Sequence, residues 1–252
     1  MTPRRELRTC PVEGRTVLIN PAIPAVALQP RSQEPSTSAI GWAPRDPPWV
    51  GVEGETTVTR APAVYRDALG AHERIQGDLP AALLIAGERM ADLRGDLRLR
   101  SFKLAGRAHD GVCGGLDLVA LPFETPISAP ARWRDEEIGR ERCVDVQDGA
   151  VAFLAWAPRT AAETWVMPRL GSAAFAKDNV GPVARLAVDL LGRLHVALPG
   201  VDVDVVLVDG EPWRLELRPR FERDAIYTTA TDMDAHGSFP EHVAAFLQDF
   251  TP

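Results

Sequence analysis

The alternation of apolar and polar positions divides the chain into strand and helix segments. Arg15 to Asn20 reads as a first strand, and Thr56 to Thr59 and Ala71 to Gln76 as two further short ones. From Leu79 to Leu97 the period changes. Leu83, Ala86, Met90 and Leu93 recur at helical spacing with charges between them, which predicts a helix that Gly87 and Gly95 weaken. Strand-like alternation returns over Leu97 to Ala105, followed by an expected glycine-containing loop, Gly106 to Gly115, and a strand, Leu116 to Leu121. A polar stretch, Pro130 to Arg142, reads as a connector between two halves.

The second half is patterned more sharply. Val144 to Trp156 carries two strand-like pieces around Gln147-Asp148-Gly149, where Asp-Gly signals a hairpin. Thr164 to Met167 reads as a strand. Val180 to Leu198 reads as the best helix in the chain, with Val183, Leu186, Ala187, Leu190, Leu191, Leu194 and Leu198 on one face and Pro199-Gly200 as its stop. Strands follow at Val201 to Val208 and Trp213 to Leu217, joined by the turn Asp209-Gly210. A last helix, Pro240 to Phe250, begins with proline, where the missing N–H costs nothing.

Composition refines this picture at one place. The chain has 22 prolines in 252 residues, and many fall between Pro21 and Pro62. Proline fixes φ and removes a donor, so residues 21 to 62 are expected to form an extended arm rather than a long helix or central strand; disorder is the alternative for Gln29 to Ser38. Hydrophobic residues at 45% and charged residues at 25% are ordinary for a globular chain. A net charge of −7 argues against a nucleic-acid surface, while a local arginine cluster can still hold a small anion. Cys10, Cys113 and Cys143 are widely spaced and odd in number, favouring reduced thiols in a cytoplasmic protein over a disulfide framework. No apolar stretch reaches the length of a membrane span, and no signal-peptide core follows the basic start.

The halves echo one another. Leu116-Asp117-Leu118 before Pro122-Phe123 resembles Leu215-Glu216-Leu217 before Pro219-Arg220-Phe221, and His72-Glu73-Arg74-Ile75 precedes the first helix as Ala162-Glu163-Thr164-Trp165-Val166 precedes the second. A strand–helix–strand unit used twice accounts for this, as does chance likeness of short β segments.

Several segments, taken in order, resemble galactose-1-phosphate uridylyltransferase, a family built as a fused pair of histidine-triad folds. They are Glu6-Leu7-Arg8 with Gly14 to Ile19, Gly70-Ala71-His72-Glu73, Gly114 to Pro122, Ala150 to Phe153 with Glu163 to Pro168, Trp213 to Arg220, and Gly237 to Glu241 with Ala244-Ala245. The resemblance implies an α+β fold of two fused histidine-triad-like halves, antiparallel sheets with packed helices. The halves would span 1–129 (including the arm at 21–62) and 144–252, with a connector at 130–143. It also implies a homodimer.

That family attacks a nucleotide's phosphorus with the second histidine of His-Pro-His-x-Gln, since an imidazole is nucleophilic at neutral pH and leaves phosphorus readily. Matching on Leu118 to Pro122, the stretch here is Cys113-Gly114-Gly115-Leu116-Asp117. Gly115 thus stands at the nucleophile's place and Asp117 at the glutamine's. The second-repeat histidine is replaced by Arg214, Cys10 has no nearby partner for the family's zinc, and the phosphate-contacting basic pair becomes Ala22-Ile23-Pro24-Ala25. Uridylyl transfer through histidine is therefore not expected, and neither is a cofactor or a metal.

The candidates that remain each have two readings. Cys113, with His109 nearby as base, is a replacement nucleophile or a small buried apolar thiol. Asp117 and Glu216, in equivalent places of the two halves, are an acid–base pair across a shared cleft or solvent-facing strand positions. Arg214, Arg218 and Arg220, with Gly114 and Gly115 alongside, are an anion site; alternatively Arg214, Glu216 and Arg218, on one strand face, are a cross-paired ladder on a solvated surface. Asp232-x-Asp234-x-His236 has metal-ligand spacing but lies in an expected loop, and His195 suits the C-terminal end of its helix. The six tryptophans are read mainly as core or interface residues.

The functional expectation is reassigned chemistry in the ancestral cleft, acting on a nucleotide, sugar phosphate or specialised metabolite. The alternatives are a catalytically silent ligand-binding or partner protein, and a residual nucleotidyltransferase with a different nucleophile. The expected partner is a small molecule, not nucleic acid or membrane.

Overall fold

Asp78 begins the first helix, accepting a hydrogen bond on Oδ1 from the Ala81 N–H at 2.9 Å, with proline in the first turn behind it. This and the other elements come from a computed structural model. It describes residues 5–21, 65–67, 70–97, 99–121, 131–171, 174–221, 231 and 233–250. The expected strand Thr56 to Thr59, nearly all of the proline-rich arm, and Asp232 lie outside the described residues.

In chain order the elements are β1 (Glu6–Thr9), β2 (Thr16–Ile19), β3 (Tyr65–Asp67), β4 (Gly70–Gln76), α1 (Leu79–Arg94), β5 (Ser101–His109), β6 (Val112–Leu121) and α2 (Ala131–Glu137). Then follow β7 (Cys143–Gln147), β8 (Ala150–Leu154), β9 (Thr164–Pro168), a 3-10 turn (Lys177–Asn179), α3 (Val180–Ala197), β10 (Val203–Val208), β11 (Arg214–Pro219), β12 (Asp234–His236) and α4 (Pro240–Gln248). Among the described residues nine strands form one sheet in the order β3-β4-β6-β5-β10-β11-β9-β8-β7, every neighbouring pair antiparallel. The unit β4-α1-β5-β6 recurs as β9-α3-β10-β11 with the same strand neighbours, so the echo in the sequence is a structural repeat. The two units join edge to edge through β5 and β10, where Ala105 pairs with Val206.

One face of this sheet is covered by α1 and α3. Their apolar stripes (Leu83, Ala86 and Met90; Leu186, Leu190 and Leu194) are fully buried against Leu104, Leu116, Leu118, Val205, Leu215 and Leu217. Gly87, which weakens α1 on propensity, has a packing reason: a Cβ there would lie 2.9 Å from the Lys177 backbone nitrogen. Phe175 meets Trp213 edge-on at 5.0 Å in the same core. On the opposite face, β1 and β2 with β12 form a small sheet. Its Cys10, Val12 and Val17 pack on Val151, Phe153, Trp165 and Met167 of the second unit. Trp165 and Phe153 have no exposed surface, and each such side chain contributes roughly 2 kcal/mol by leaving water.

Two expectations need correction, and the connector gains a helix. Gly106 to Gly115 is not a loop: β5 continues to His109, β6 starts at Val112, and Asp110-Gly111, with φ of 48° and 77°, makes the two-residue turn. The glycines instead mark close backbone approach, since a Cβ on Gly106 would stand 2.4 Å from the Gly115 carbonyl oxygen. The connector Pro130 to Arg142 contains α2, anchored by Arg134, whose Nη1 donates to the carbonyls of Pro168 and Gly171. Asp234 to His236 is not a loop but β12, parallel to β2. No helix among the described residues is long and apolar enough to cross a membrane.

Candidate functional site

Opposite residues in a sheet share a face, so the registers define rows of side chains. One row runs Arg74, Asp117, Ala105, Val206, Glu216, Trp165 and Phe153 on the face away from α1 and α3. Asp117 and Glu216 therefore look the same way. They lie three strands apart, about 14 Å at the usual strand spacing, too far to serve one reacting atom directly.

Their surroundings also differ. Asp117 is one-third exposed and accepts from Arg74 Nη1 at 2.6 Å. Glu216 is fully buried, taking Arg214 Nε on Oε1 at 2.7 Å and Arg218 Nη2 on Oε2. The Arg214-Glu216-Arg218 ladder is thus not on a solvated face. It lies under the N-terminal hairpin, where Arg214 Nη2 also donates to Glu13 Oε1 at 3.0 Å and its guanidinium sits 4.0 Å over the Trp165 ring. Glu13, at the tip between β1 and β2, receives Arg15 at 3.2 Å and Arg159 at 2.9 Å as well. Burial alone would raise the Glu13 pKa, but Arg159, Arg15 and Arg214 outweigh it and hold the carboxyl below its ordinary range.

A second buried acid completes the cluster. Glu163 has no exposed surface. It accepts Trp165 Nε1 at 2.9 Å and the Arg159 backbone N–H, with Arg218 Nε at 3.9 Å. Burial, then the neighbouring Glu216, pushes its pKa up, against the pull of Arg218. Burial would lower the Arg218 pKa, yet Glu216 and Glu163 raise it further above its ordinary value.

The remaining candidates are dispersed. Cys113 is buried among Leu104, Leu116 and Leu118 on the helix side of the sheet; its Sγ lies 3.5 Å from the Gly115 carbonyl, and burial raises its thiol pKa. His109, half-exposed at the end of β5, hydrogen-bonds Asp202 Oδ1 through Nδ1 at 2.6 Å. Gly114 and Gly115 form a bulge opposite the Gly106–Ala108 step, and Gly114 has open space around it. Arg220 pairs with Asp204 at 3.6 Å, as Arg107 does at 3.0 Å. Asp234 pairs with Arg15 at 3.8 Å and the buried His236 hydrogen-bonds the Pro158 carbonyl at 2.7 Å. Among the described residues no group of three His, Cys, Asp or Glu side chains could hold a metal ion.

One residue of this face was not singled out from the sequence. Lys103, in β5 next to the central strand β10, pairs in register with Val119 on one side and Val208 on the other, which places it on the face carrying Asp117 and Glu216. It is half-buried and makes no hydrogen bond or ion pair among the described residues. Burial lowers its pKa, Glu216 raises it and Arg214 lowers it further. The signal in the sequence was the lysine's polar place in Phe102-Lys103-Leu104-Ala105. Arg74 and Arg107, both about half exposed and paired with Asp117 and Asp204, lie on the same face around the small Ala105, so Lys103 is the cation here that no carboxylate among the described residues pairs.

No family model matches the chain, and no curated protein matches it in sequence. Solved structures do. ADP-glucose phosphorylase from Arabidopsis thaliana, with ADP-glucose bound, matches over 99% of both chains with a TM-score of 0.70 at 16% identity. A GalT-like protein from Arabidopsis thaliana matches over 99% of this chain and 100% of its own with a TM-score of 0.67 at 14% identity. A uridylyltransferase matches over 96% and 97% with a TM-score of 0.61 at 14% identity. The chain therefore has the GalT-like uridylyltransferase fold, mixed α+β with two similar halves.

Proposed function

We propose that this protein binds a small phosphorylated ligand, a nucleotide, nucleotide sugar or sugar phosphate, on the sheet face around Lys103, and that it does not transfer a nucleotidyl group through histidine. The observation carrying this is Lys103: an uncommitted, half-buried amine at the middle of a shared sheet, with Arg74 and Arg107 on the same face. Charge-assisted bonds from such groups are the ordinary way to hold phosphate oxygens. A fold in which one matching structure carries ADP-glucose supports the ligand class. Gly115 supports the loss of the histidine step, because a Cβ there would meet the Ile75 carbonyl oxygen at 2.6 Å. The three cysteines, all free and buried, fit a reducing, cytoplasmic setting, and the resemblance of the fold implies a homodimer.

Calorimetric titration with ADP-glucose and UDP-glucose tests the proposal. Binding should weaken at least about tenfold in Lys103→Ala, the size expected of a lost charged hydrogen bond, and fall with added salt. Intact-protein mass spectrometry should show no nucleotidyl adduct. Equal affinity in the variant, or no binding of any phosphorylated ligand, would sink it. A second reading, turnover by reassigned chemistry, rests on Asp117, which like Asp204 keeps partial exposure on this face. It requires product to form and Asp117→Asn to abolish it with the melting temperature unchanged.

A further inference from the structure

Where α4 meets the end of α3 lies a cavity of about 550 Å³ whose lining does not include Lys103. Phe221, Phe239 and Phe246 supply its rings, Val243 and Leu198 add aliphatic surface, and Ala161-Ala162 closes one side. The volume is that of an ordinary small-molecule site. Among the described residues its walls hold no Asp, Glu, Lys or Arg. A phosphate, carboxylate or ammonium seated against these walls would lose water without a counter-charge from them, which disfavours it relative to a neutral group.

Two polar side chains on this apolar wall are uncommitted. The His242 ring packs edge-on against Phe239 at 5.6 Å, and neither it nor the Ser238 hydroxyl makes a side-chain hydrogen bond among the described residues. One is a donor and acceptor by tautomer, the other by rotation of its O–H. The Ala161-Ala162 segment of the lining is held firmly. Ala162 sits at φ 62°, a conformation costing an L-residue about 1 kcal/mol. Its neighbours fix it: Thr164 Oγ1 donates to the Ala162 carbonyl at 3.0 Å and the Glu163 N–H to the Thr160 carbonyl at 3.1 Å.

We infer that this cavity is a second ligand site, taking a neutral, ring-bearing small molecule with one hydroxyl or carbonyl group directed at His242 and Ser238. Its ligand belongs to a different chemical class from the phosphorylated one proposed for the sheet face. The two sites share no residue, so either can fail without the other.

2-Naphthol, a neutral two-ring alcohol, is the probe, with its fluorescence as readout. It should saturate a single site. Ala161→Phe, which fills the cavity from its rigid wall, should weaken binding at least about tenfold, and His242→Ala about fivefold for one lost hydrogen bond. Circular dichroism and the response to ADP-glucose should match the unaltered protein in both variants. The charged analogue 2-naphthalenesulfonate should bind at least about tenfold more weakly. Absence of saturable binding, unchanged affinity in both variants, or equal binding of the sulfonate would overturn the inference.

Discussion

At position 115 an added Cβ would stand 2.6 Å from the Ile75 carbonyl oxygen, and the backbone holds φ at 154°. At position 114 nothing lies within 4 Å of an added Cβ. Adjacent glycines thus carry different obligations. Gly115→Ala should cost at least about 2 kcal/mol, combining a rare backbone conformation with backbone overlap; Gly114→Ala should stay within about 0.5 kcal/mol. Urea midpoints of the two variants check this, and equal midpoints would refute it. The sequence showed glycine where the resemblance places a nucleophile, but not why. The reason is the bulge that brings β6 against β4, a contact between segments some forty residues apart. Lys103 was hidden for a similar cause. A single lysine among apolar residues marks a polar face, and only the β5–β10 junction places that face at the centre of the molecule.

Elements with a strong internal period were legible. The stripe from Val183 to Leu194 became the buried face of α3, and Asp148-Gly149 became the turn between β7 and β8. Elements that exist through their partners were not. β12 has three residues and is made by pairing with β2, and its Asp234 and His236 resembled ligands because alternation along a strand reproduces ligand spacing. The N-terminal hairpin was visible as strand, yet nothing local told that its tip carries a key charge. Glu13 binds Arg15 of its own hairpin together with Arg159 and Arg214 of the sheet it covers. Glu13→Ala would leave Arg214, almost wholly buried, with Glu216 as its one remaining ion-pair partner among the described residues, and Arg159 without the carboxylate it binds. The expected loss is about 3 kcal/mol, the scale for breaking a buried pair from one side. It should show as early exchange of the β1 and β2 amides. Exchange rates there equal to the unaltered protein's would show that apolar packing by Val12 and Val17 alone holds the hairpin.

Across the whole molecule the buried acids titrate with opposite signs. Glu163, pushed up by burial and then by Glu216, keeps its proton at pH values where the unfolded chain has lost it. Its contribution is fully present below the ordinary glutamate pKa of about 4.3 and is lost as pH rises through its folded value. Glu137 follows it, raised by burial against the pull of Arg142. Glu13 is the reverse: burial is outweighed by Arg159, Arg15 and Arg214. Its contribution is therefore present above the ordinary pKa and is lost as pH falls through the depressed one. Glu241 behaves likewise, burial being outweighed by hydrogen bonds from Arg8, its own backbone N–H and Arg142. Glutamine copies the protonated acid's charge at either position. As pH is raised from about 4 to about 7, the melting temperature of Glu163→Gln should therefore gain on the unaltered protein, while that of Glu13→Gln should fall behind it. Both substitutions sit in one cluster, linked through Arg159 and Arg214, so a general change in the stability of the fold would move the two differences together. Slopes of opposite sign are what the buried geometry requires; two falling slopes would mean that Glu163 is ionised in the folded protein at the pH where its unfolded form is, and two rising slopes that Glu13 is not held below its ordinary range.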